Sequence, residues 1–178
     1  MPKVLVSASK LEHYIAIKKL EGEIVSYALK IQIKDSDANY DKEKIEEVTH
    51  KVDNLIHAVR SGVYSAKSLK NINEDLESFY VIDNDTLSKY FDELKEPAQS
   101  IYTSILTLLS KAHKSELMEE ELSLLKEKSL EFHHRFADMI YKKMSGIHLT
   151  SLDLSTLRNV NKEIQTSDKA LIKALTLL

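Results

Sequence analysis

Ser68-Leu69-Lys70-Asn71-Ile72-Asn73-Glu74-Asp75-Leu76 recurs 88 residues later as Thr156-Leu157-Arg158-Asn159-Val160-Asn161-Lys162-Glu163-Ile164. Eight of the nine positions are identical or conservative. The offset is close to half of the 178-residue chain, so the pair reads as two copies of one helical unit. A unit of this length suits three helices and exceeds the roughly 34 to 47 residues of common helical solenoid repeats. The paired asparagines carry the argument. Asn is a poor helix former, so neither propensity nor apolar patterning accounts for a pair that occurs twice. A Ser-Gly pair also precedes each copy, at Ser61-Gly62 and Ser145-Gly146.

Outward from these segments the helical period dominates. A first helix is expected over about 10–34, with Leu11, Ile15, Leu20, Ile24, Tyr27 and Ile31 on its core stripe and Ser7 or Ser9 as its cap. A second segment, about 41–81, carries Ile45, Val48, Val52, Leu55, Val59, Leu69, Ile72, Leu76 and Phe79. It is one long helix, or it breaks near Ser61-Gly62, since Gly costs a helix about 1 kcal/mol relative to Ala. Asp83 or Asp85 starts the next helix, which holds Pro97 and is expected to kink there and end near His113. Its dense run Ile101 to Leu109 reads as buried. Ser115 caps a helix ending near Ser145-Gly146, and the last begins at Ser151 or Asp153.

Composition narrows the class. Three Gly and two Pro stand where average usage would give roughly 20 together. That excludes a sandwich, a barrel or a turn-rich α/β fold. Charged residues are 30% and hydrophobic ones 43%, a globular balance. The net charge of −3 gives no basic footprint for nucleic acid. There is no Cys, which removes disulfides, thiolate zinc sites and cysteine nucleophiles and fits a reducing compartment. No apolar run is long enough for a signal peptide or a membrane span.

Few constellations carry chemistry. Glycines at 22, 62 and 146 form no phosphate loop or dinucleotide fingerprint. Asn84-Asp85-Thr86 fits a glycosylation sequon but reads as a helix start. Glu47-x-x-His50 and Glu131-x-x-His134 have the spacing of a ferritin-like di-metal site. At 100° per residue, however, both pairs fall away from the apolar stripes and face solvent. On the later of the two helices, Leu125, Phe132, Phe136 and Met139 define the inside. His13, His57, His113, His133 and His148 form no ligand spacing and read as surface or core-edge residues. Tyr14, Tyr27, Tyr64, Tyr90, Tyr102 and Tyr141 read as core-edge residues, some of them lining a contact surface. The better candidates are the repeated polar residues Asn71, Asn73, Asp75, Asn159, Asn161 and Glu163. Asn71 and Asp75, like Asn159 and Glu163, lie four residues apart on a flank of the core face, and Ser68 and Thr156 extend that flank. They form either a polar site for a ligand, ion or partner, or an amide-carboxylate ladder that sets helix register.

An all-helical chain of two three-helix units with a short signature late in each resembles the PhoU family of phosphate-signalling regulators. More narrowly, it resembles the PhoU-like cytoplasmic domain that follows the membrane portion of bacterial sodium/phosphate cotransporters. The stretches that carry the resemblance are Lys19-Leu20-Glu21-Gly22-Glu23-Ile24, the run Val63 to Ile72, Leu157 to Ile164, and Ser167-Asp168-Lys169-Ala170-Leu171. It implies an all-α, antiparallel PhoU-like bundle of five or six helices, built from two pseudo-repeats of about 88 residues (1–82 and 83–178) that share one core. It also implies a non-catalytic regulatory role at the cytoplasmic face of the inner membrane. The implied partners are the transmembrane transport domain of the same or an associated protein, and a second copy in a homodimer. PhoU proteins can hold metal clusters on acidic signatures, but here the matching positions are Lys70 and Glu74, and Arg158 and Lys162. Cations there oppose a metal, so no metal or other cofactor is expected. The chain reads as a fragment of a longer membrane protein, or else as a free-standing PhoU-like regulator. The rival from another class is the di-metal bundle.

Overall fold

A computed structural model describes residues 3–36, 42–79, 81, 85–111, 118–143 and 149–178. These form six helices: α1 (Lys3–Ser36), α2 (Lys42–Asn71), α3 (Asn73–Phe79), α4 (Asp85–Lys111), α5 (Met118–Lys143) and α6 (Ser151–Thr176). No strand occurs among the described residues. The main core draws on α2 to α6. Leu94 and Ile101 of α4, Phe132 and Ile140 of α5, and Leu157 and Val160 of α6 meet Ile72 and Phe79. Phe79 and Phe91 lie with ring centroids 5.1 Å apart. The sequence expectation of an all-helical bundle holds. So does the inside face of α5, where Leu125, Phe132 and Phe136 are buried.

Several boundaries differ from expectation. Helix α1 begins at Lys3, so Ser7 and Ser9 lie within it and not at its start. Ser115 and Asp83 lie outside the described residues, as do Ser145 and Gly146. Helix α4 continues through Pro97 and runs to Lys111. Helix α6 is capped by Thr150. The Asp153 backbone N–H donates to Thr150 Oγ1 at 3.1 Å, and the Thr150 backbone N–H donates to Asp153 Oδ2 at 2.9 Å. This reciprocal pair satisfies two donors that the first turn would otherwise leave open.

The second segment breaks at Ile72 and not at Gly62. Helix α2 passes straight through Gly62, where an added Cβ would meet no atom within 4 Å. Gly62→Ala is therefore expected to stabilise the protein by about 1 kcal/mol, read as a higher urea midpoint. A lower midpoint would show that α2 bends there. Ile72 itself is fully buried between Asn71 and Asn73. Asn side chains compete for nearby backbone groups, which favours ending a helix at such a pair. The second copy behaves otherwise: Asn159 and Asn161 lie within continuous α6. Their amides bond to other elements, so they do not compete with their own backbone.

Helices α1 and α2 form an antiparallel hairpin. Lys70 Nζ lies 4.7 Å from the Tyr14 ring centroid, and Ala28 packs with Val52 and Ile56. That second, small core is completed by Val25 and Val48. The expected core stripe of α1 does not face it. Ile15, Leu20, Ile24 and Tyr27 are exposed, and Leu55 of α2 is exposed as well. Leu106 and Leu109 in the run read as buried are exposed too, while Ile101, Ile105 and Leu108 are buried. No described helix is long and apolar enough to cross a membrane.

Candidate functional site

The interior holds a connected set of polar side chains from four helices. Helix α5 supplies Ser129 and His133, one turn apart beside Leu122 and Ile140. Helix α6 supplies Asn161, Ser167 and Asp168, α2 supplies Ser65, and α4 supplies Tyr102. His133 is 1% exposed and Asp168 is 0% exposed.

Hydrogen-bond geometry assigns the protons. Asn161 Nδ2 donates to the His133 backbone carbonyl at 3.2 Å, which turns its Oδ1 toward His133 Nδ1 at 2.7 Å. Nδ1 is therefore the donor in that contact. Nε2 lies 3.0 Å from Asp168 Oδ2, which also accepts from Ser129 Oγ at 2.8 Å. Both ring nitrogens thus face side-chain oxygens of α6. Asp168 Oδ1 is buried without a hydrogen-bond partner. Nearby, Tyr102 donates to Ser167 Oγ at 2.8 Å, and Ser167 Oγ lies 2.6 Å from Ser65 Oγ. Burial pushes the Tyr102 hydroxyl well above the usual phenol range; the Ser167 hydrogen bond opposes this and the Asp168 charge adds to it. Tyr102 thus stays a protonated donor at neutral pH.

This network corrects the reading of His133 as a surface or core-edge residue. A sequence signal existed. Ser129 and His133 lie among Leu122, Leu125, Phe132 and Phe136, and Ser167 and Asp168 continue the three-four spacing of Leu157, Val160 and Ile164. Polar residues at core spacing point to a buried network. His50, His57 and His134 are exposed; the side chains of His13, His113 and His148 lie outside the described residues. Tyr27, Tyr64 and Tyr141, expected at core edges, are exposed.

The repeated polar residues separate into two places. Asn159 Nδ2 of α6 donates to Asp75 Oδ2 of α3 at 3.3 Å, so the two copies touch. Asn73 Nδ2 donates to Glu77 Oε1 at 2.9 Å within α3. Asn161 is buried in the His133 network. Asn71 is exposed at the end of α2, and Glu163 is half-buried on α6.

Glu47, His50, Glu131 and His134 all face solvent. Glu47 is 2.6 Å from Lys51, whose ammonium holds its carboxyl below the usual range, and Glu131 lies 3.7 Å from Arg135. No group of three His, Asp or Glu among the described residues is placed to hold a metal.

The remaining candidate surface is the outer face of α1. Ile17, Leu20, Ile24 and Tyr27 follow one another at spacings of three and four, the pattern of a helix-pairing seam. Leu20 is 55% exposed and Tyr27 is 69% exposed. Helix α1 turns Val25 and Ala28 toward α2 and leaves this seam outside.

Comparison with models of known families, with curated proteins and with solved structures finds no significant match.

Proposed function

We propose that this chain is a non-catalytic, PhoU-like regulatory domain that acts by helix-face contact with the transport domain of a sodium-dependent phosphate transporter, at the cytoplasmic face of the inner membrane. The observation that carries the reading is the uncovered seam of α1. Exposed apolar surface in this pattern is costly in water and is relieved by a partner helix, at about 25 cal/mol per Å² buried. The interior supports a non-catalytic role, because the polar network fastens α2, α4, α5 and α6 to one another. In this reading α1 to α3 and α4 to α6 are the two pseudo-repeats, and the Asp75–Asn159 contact ties them together.

Fractionated native cells probed with an antibody to this domain test the proposal. The expected result is a membrane-fraction band well above 20.4 kDa, the mass of this chain, with phosphate uptake altered when the domain is deleted. A soluble band near that mass overturns the transporter assignment. It leaves the free-standing PhoU-like regulator, which rests on the same seam. The ferritin-like di-metal bundle has no observation in its favour, since its four candidate ligands face solvent.

A further inference from the structure

On the surface beside the buried network, α5 and α6 enclose a groove of about 450 Å³. Arg158, Lys162, Ser151, Ser155 and the apolar Leu154 line it from α6 and His134 from α5, and the buried Asn161 also borders it. No carboxylate lines it. Arg158 and Lys162 sit one helical turn apart, where like charges cost a helix stability. Neither forms an ion pair with a described residue; the same holds for the exposed Lys44, Lys67 and Lys128, so what distinguishes Arg158 and Lys162 is that both line one concavity. The two cations thus share one carboxylate-free concavity in a chain of net charge −3.

We propose that this groove binds a small soluble oxyanion, of the class of a phosphate or a phosphate-bearing metabolite. The guanidinium fork of Arg158 matches two oxygens of a tetrahedral anion, and Lys162 adds a point charge. Ser151 and Ser155 supply neutral donors. The volume suits a small molecule, and two cations with one histidine are too few for a nucleic-acid track. The inference does not depend on the transporter assignment.

The test is titration of the full chain, followed by amide and guanidinium NMR, with inorganic phosphate and pyrophosphate at constant ionic strength in chloride. Phosphatidylglycerol vesicles form a separate arm. Saturable shifts confined to residues about Arg158 and Lys162 are expected. Arg158→Gln and Lys162→Gln should each weaken binding about tenfold or more, as loss of a charge-assisted hydrogen bond does. Lys128→Gln, on the far side of α5, should leave it unchanged. All three positions are exposed, so the fold is retained and circular dichroism checks it. Absence of saturable shifts with both anions overturns the proposal. So does binding that survives the double substitution, or binding seen with vesicles alone.

Discussion

Replacing Asp168 with Ala should cost the protein roughly 3 to 5 kcal/mol, since two buried polar groups each lose a partner at about 1 to 3 kcal/mol apiece. Its Oδ2 accepts from Ser129 Oγ and lies 3.0 Å from His133 Nε2. Without it both groups stay buried with no partner. Asp168→Asn keeps the shape and one oxygen, so it should lose markedly less. His133→Ala removes the contact from the other side. The double variant His133→Ala with Asp168→Ala should then fall well short of the sum of the singles, since contacting residues couple. Urea unfolding of the four proteins decides it. A loss below about 1 kcal/mol for Asp168→Ala would mean that the network does not hold the helices together. The seam lies elsewhere on the molecule and the groove only borders the network through His133 and Asn161, so both remain the places to seek function if the network proves structural.

Leu157→Ala should be of similar size, about 3 to 5 kcal/mol, because a fully buried leucine in a packed core leaves a cavity that its neighbours only partly fill. Leu157 is 0% exposed and belongs to the main cluster with Val160 and Ile164. Leu152 lies on the same helix and is 74% exposed. Leu152→Ala should therefore change stability by less than about 0.5 kcal/mol. At this chain length the contrast corresponds to roughly 10 °C in melting temperature, readable by thermal circular dichroism. Equal effects at the two positions would show that the register of α6 is wrong. That matters for function, since α6 carries the Asn161–Asp168 side of the network and the Arg158–Lys162 side of the groove on one rigid element.

The helical class and the inner face of α5 were legible because they are local. A three-four spacing such as Leu125, Phe132 and Phe136 puts side chains on one face whatever surrounds the helix. The start of α6 near Ser151 was read the same way, although its cap, Thr150, was not singled out. The outward orientation of Glu47, His50, Glu131 and His134 followed from the same angular arithmetic.

What the chain alone left open were the choices made between elements. Helix α1 carries apolar residues on more than one side, so periodicity cannot say which side packs; contact with α2 selected Val25 and Ala28 and left Leu20 and Tyr27 outside. The repeated asparagines are alike in sequence, yet one pair brackets a turn at Ile72 and the other lies within α6, because only the second has amide partners on other helices. His133 and Asp168 lie 35 residues apart, and nothing local joins them. Their pairing exists because α5 and α6 pack side by side, where a polar group taken from water is stable only if another helix supplies its partner.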